Sequence, residues 1–173
     1  MGEHRKRSIL RGTVAGIAGG LIASWAMNEF MAGPGRKIQQ SLSDGNSGQK
    51  PDNVEDDATM KAADSIVDIT TGGRHLSQEG KKKAGPIVHY GYGALMGGIY
   101  GGLVEYWNAP KAGFGALFGT VLFGAGDLAA VPALHLGASP TEQPPSALVN
   151  PFLGHVVYGT AAELSRRAIR PLL

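Results

Sequence analysis

The chain has no cysteine. That excludes a disulfide framework, Cys-ligated zinc and iron–sulfur clusters. Aromatic residues are few, 7% of the total. Known catalytic signatures are missing too: there is no Gly-x-Ser-x-Gly, no phosphate loop and no His-Glu-x-x-His. No enzymatic activity is therefore expected. The formal net charge is only +2, so bulk charge points to neither a nucleic-acid partner nor an acidic tail.

The most telling shortage is local. Residues 12–28, 84–104 and 143–162 carry no Asp, Glu, Lys or Arg, and 112–141 carries only Asp127. Runs of this length match the roughly 20 residues that cross a bilayer core. They predict an all-α membrane protein, a bundle of four transmembrane helices at about 9–32, 86–106, 112–136 and 147–168. The whole chain then forms one integral membrane domain with an extramembrane loop, 33–85, between the first two spans. A secretory signal peptide is the competing reading of the first run, and a glycine-rich soluble α-domain that of the whole chain. Within the loop, 34–57 reads as mobile, being rich in Gly, Ser, Asn, Asp and Pro. Residues 58–70 place Met60, Ala63 and Val67 on one face. They predict a short amphipathic helix at the membrane surface or against the bundle.

Basic residues flank the first run at its start (HRKR, 4–7) and the last at its end (RRAIR, 166–170). The positive-inside rule places both in the cytoplasm, as an even number of spans requires. The loop 137–146 lacks Lys and Arg and suits the outside. Lys81, Lys82 and Lys83 oppose this orientation, although the rule weakens beside long loops.

Glycine is abundant, 27 of 173 residues, against an average of about 7%. Gly12, Gly16 and Gly20 lie four apart, as do Gly93, Gly97 and Gly101, and Gly115 and Gly119. This small-xxx-small spacing lets helix backbones approach closely in lipid. It predicts tight packing within the chain, or a face for a second copy or a membrane partner.

One pattern occurs twice. Glu29-x4-Pro34 and Asp127-x4-Pro132 each precede a His-x-x-Tyr-Gly, at His89–Gly93 and His155–Gly159. The order predicts two tandem helical hairpins, related by an axis along the membrane normal. Glu29, His89, Tyr92, Asp127, His155 and Tyr158 would then form a buried polar cluster. Three roles compete for it: a structural network fixing helix register, a path for protons or small ions, and a metal or haem site. The Glu-x-x-His of di-iron bundles and the paired histidines of a two-haem cytochrome are missing, so no cofactor is expected. Glu105, His135 and Glu163 lie nearer the span ends and are expected to reach the headgroups.

The second half resembles a known family. His89, the glycine-rich run to Tyr100 and Glu105, Pro110, Pro132, Pro140, Gly154-His155, Glu163 and Arg166-Arg167 together resemble the YagU-like family of uncharacterised bacterial inner-membrane proteins. The resemblance covers roughly 86–170. It implies an inner-membrane location and brings no reaction, cofactor or catalytic residue.

Overall fold

The structure is a computed structural model that describes residues 7–42 and 56–173. The basic residues 4–6 and most of the expected mobile loop lie outside the described residues. Among the described residues all regular structure is helical. Five helices matter: α1 (Ile9–Leu42), α2 (Ala58–Thr71), α3 (Gln78–Leu103), α4 (Ala116–Ala125, continued through Gly126–Ala130 and Val131–Ala133) and α5 (Pro145–Ile169).

Local chemistry sets their ends. Ser8 caps α1, accepting from the Arg11 N–H. Asp57 caps α2, accepting from the Met60 N–H at 2.8 Å, and Gly72 ends it in the left-handed conformation at φ 70°. Ser77 caps α3. Proline opens α5, where its missing N–H costs nothing.

Helix α1 runs further than expected. The sequence Gly33-Pro34-Gly35 reads as a loop start, yet the chain stays helical to Leu42. Pro34 cannot donate to the carbonyl four residues back and crowds it. The helix absorbs this by widening to a π turn over Met31–Gly35. Helix α4 does the same over Gly126–Ala130, just before Pro132. At 34 residues, α1 is about 51 Å long, more than a bilayer core requires.

Helix α1 packs against α3 and α5, and α4 against α5. Glycine makes the first contact possible. A methyl built on Gly12, Gly16 or Gly20 would land on the carbonyl oxygen of Gly101, Gly97 or Gly93. The rising and falling numbers make α1 and α3 antiparallel. A second seam joins α4 and α5, where Gly115 meets the Gly159 carbonyl and Gly119 that of His155. Helix α2 lays Met60 and Ala63, both buried, toward α3. There Met60 sits where a Gly85 side chain would be. The amphipathic face expected at 58–70 is thus turned to the neighbouring helix.

Many large aliphatic side chains lie on the outside of the helices. The buried set is Ala15, Ala23, Ala162 and a few larger groups, together with Ser24, Glu163, Arg166 and Arg170. Among the described residues Leu122 is the one leucine or isoleucine in that set. Ile9, Ile17, Leu21, Ile22, Leu95 and Ile99 face outward. By length and composition two helical stretches, Ile9–Leu42 and Ala109–Ala133, are apolar enough to cross a membrane. Helices α3 and α5 have the length, 26 and 25 residues, but glycine, histidine and terminal charges dilute them.

Candidate functional site

The residues expected to form one polar cluster are dispersed. Asp127 sits on the widened turn of α4. Its Oδ2 lies 3.6 Å from Nδ1 of His155, whose ring also packs on Phe123. The same Nδ1 is 3.0 Å from the Pro151 carbonyl, one turn back in its own helix. With its proton there, His155 donates chiefly to Pro151, and Asp127 is the longer partner. Tyr158 is buried and donates to the Gly93 carbonyl at 2.5 Å, tying α5 to α3.

The first-half residues do not mirror this. Glu29 is exposed and forms no ion pair with a described residue. His89 is half-buried beside Tyr90, and its Nε2 has no hydrogen-bond partner among the described residues. Ser24 Oγ, in a residue only 1% exposed, is likewise unpartnered. Tyr92 is 47% exposed. Among the described residues no three His, Asp or Glu side chains come together as a metal-ligand set.

The buried carboxylate of this structure is one the sequence reading sent to the headgroups. Glu163 is completely buried. Its Oε2 accepts from Tyr100 Oη (2.8 Å) and Arg166 Nε (2.8 Å). Its Oε1 accepts from Arg166 Nη2 (3.1 Å) and Arg167 Nε (2.6 Å). A carboxylate offers about four lone-pair sites, and here all four are filled. Such a group is a poor proton acceptor and a good clamp. Beside it, Glu105 takes two bonds from Arg170, at 2.7 and 2.9 Å, and one from the Ser8 N–H at 3.0 Å. Together the two carboxylates bind the start of α1, the end of α3 and the end of α5. The spacing Glu163-x-x-Arg166-Arg167 was the available signal, since positions three and four apart share a helix face.

At the other end a smaller network orders the approach to α3. Asp64 of α2 accepts from the Leu76 N–H at 2.6 Å and sits 3.1 Å from His75 Nδ1. The Leu76 hydrogen bond, with help from His75 and Lys81, holds its carboxyl below the ordinary aspartate range. Lys81 reaches Asp56 at 2.7 Å and Asp64 at 3.5 Å. The Asp56 hydrogen bond pushes its ammonium above the usual lysine value. Lys81 of the unexpected lysine triplet is therefore tied into protein contacts.

Comparison with curated proteins and with solved structures returned no match. Comparison with protein families matched residues 59–164, more than half of the chain, to a family described as proteins of unknown function, DUF1440. The resemblance to YagU-like proteins is compatible with that assignment. With α2 through most of α5 inside the matched segment, the chain belongs to the DUF1440 family.

Proposed function

We propose that this is a four-span protein of the bacterial inner membrane with a structural or accessory role, built from two related helical hairpins. The observation that carries the membrane reading is the apolar outer layer. Ile and Leu side chains cover the outside of helices whose seams are glycine and alanine around a small core with Met27, Leu122 and Tyr158. In water such a surface would drive aggregation; in lipid it is the expected solvent-facing layer.

The hairpin reading is supported by register. The same interval separates the two widened turns, Met31–Gly35 and Gly126–Ala130, as separates Gly20 from Gly115 and Ser24 from Gly119. A second constant interval takes His89 to His155 and Gly93 to Gly159. In this register Met27 corresponds to Leu122, Ala23 to Phe118 and Ala162 to Met96, and all six belong to or pack on one core. The partner of Asp127 in the first hairpin is then Ala32, with Glu29 about a turn away. This replaces the carboxylate-to-carboxylate match of the sequence pattern. It fits the approach of Asp127 to His155, since the matching position in the first hairpin is an alanine.

A structural role is favoured by the saturation of Glu163 and by the packed core between the hairpins. A proton pathway is the second reading. It rests on the Asp127–His155 approach and on the unpartnered His89 Nε2. Proteoliposomes with an entrapped pH dye separate the two. The structural reading expects a pH gradient to decay no faster than in empty liposomes, with His89→Gln and His155→Gln lowering stability only. Decay that depends on either histidine would install the proton path instead.

A further inference from the structure

Beside the glycines that close the α1–α3 seam, Gly98 and Gly102 line a groove between the two helices. Its walls include Ile9, Thr13, Gly98, Gly102, Tyr106 and Trp107, and the open trough has a volume of about 390 Å³. A methyl on Gly102 would meet Thr13 Oγ1 at 2.9 Å, and one on Gly98 would meet Ile17 at 2.9 Å. At both positions α1 already stands close, so the two glycines let α1 settle onto α3 and line the groove between them. It runs along the last turn of α3 from Gly98 and past Leu103 to the aromatic pair.

The mouth has a different chemistry from the floor. Tyr106 and Trp107 are 57% and 60% exposed where α3 ends, the amphipathic ring placement of a membrane–water boundary. The Arg7 guanidinium lies over the Tyr106 ring, 5.9 Å from its centroid. Glu105, which precedes Tyr106, is paired with Arg170. An apolar channel that ends at aromatic rings and one arginine matches an acyl chain joined to an anionic headgroup.

We propose that this groove binds one acyl chain of an anionic phospholipid, with its headgroup phosphate at Arg7. The proposal rests on the membrane reading above. It adds a specific ligand site to a surface otherwise covered by exchanging lipid. Arg7 recognises the charge, Gly98 and Gly102 admit the chain, and Trp107 marks the depth.

The test uses the full-length protein in detergent, with phosphatidylglycerol, phosphatidylcholine of the same chains, or inorganic phosphate added. Phosphatidylglycerol should raise the unfolding midpoint by several degrees, phosphatidylcholine clearly less, and phosphate not at all. Arg7→Gln lies before the first helix and removes the charge together with its stacking on Tyr106. It should make the two lipids equivalent. A phosphatidylglycerol with a photoactivatable acyl chain should crosslink at Tyr106, Trp107 or Ile9, and Gly102→Leu should abolish those crosslinks while the circular dichroism is unchanged. If Gly102→Leu fails to fold, the Arg7→Gln comparison decides alone. Equal stabilisation of the wild type by both lipids, crosslinks spread evenly over the apolar surface, or an effect of phosphate alone would overturn the proposal. So would a dimer lost in Gly102→Leu whatever the lipid. A protein recovered without membranes on cell fractionation would instead overturn the membrane reading itself.

Discussion

At the scale of single residues, Glu163 carries the greatest energetic weight among the polar groups. Four donors from Tyr100, Arg166 and Arg167 converge on a carboxylate with no exposure. Removing one partner of a buried ion pair strands the other charge and costs about 3–5 kcal/mol. Glu163→Leu is therefore expected to lower stability by that order in a denaturation titration in detergent. Arg167→Leu should cost under about 1 kcal/mol, because the Arg167 side chain is 47% exposed and solvent screens its pair. Equal losses would mean that the network does not act as a buried clamp. Asp64 gives a pH dependence of known sign. Its folded carboxyl titrates below the unfolded one, so its contribution is complete above the unfolded value, about 3.9, and fades as pH falls through the folded value. Hydrogen exchange at the Leu76 amide should quicken, relative to other capped turns, as pH drops below about 4. Asp64→Asn should show that loosened state at neutral pH, and an unchanged Leu76 amide would contradict the assignment.

At the scale of helices, the glycines lie where α1 meets α3 and α4 meets α5 at closest approach. A methyl on Gly97 would press on the Gly16 carbonyl and come within 2.7 Å of the Gly20 Cα. Backbone cannot move aside as a flexible side chain can, and overpacking of this kind costs about 1–3 kcal/mol. Gly97→Ala should lower stability in that range. Gly91, with nothing within 4 Å of its added methyl, is the matched control. Gly91→Ala should be neutral or gain up to about 1 kcal/mol from helix propensity. Similar effects at the two positions would show that the spacing has no structural meaning.

The helices themselves were legible because apolar runs and glycine periods are one-dimensional signals. Boundaries were less so. Pro34 looked like a stop and is instead absorbed by a widened turn, which depends on packing beyond Gly35, where Asn150 closes in. The start of α3 at Gln78 was hidden because Lys81–Lys83 are polar inside a helix. The polar site was the least legible part. Glu29 and Asp127 share a motif in the chain, but a motif does not state which helix face it occupies. Glu29 falls outward, and Glu163, outside the repeated motif, falls inward, where Tyr100 and two arginines meet it.

At the scale of the molecule, the antiparallel seams place the start of α1, the ends of α3 and α5 and the start of α4 together. The Glu105 and Glu163 clamps gather at that end. The other end holds α2, the widened turns and the 137–146 loop. If all four long helices cross the membrane, these two ends face opposite compartments. The missing cysteines make this directly measurable, since any cysteine introduced is the only one present. Single substitutions Ser65→Cys, Asn108→Cys, Ser139→Cys and Leu173→Cys, probed in intact inner-membrane-exposed cells with a membrane-impermeant maleimide, sample both ends. The account predicts labelling of Ser65→Cys and Ser139→Cys, with Asn108→Cys and Leu173→Cys reacting only after permeabilisation. Labelling of position 65 together with position 108, or shielding of both together, would contradict the four-span arrangement.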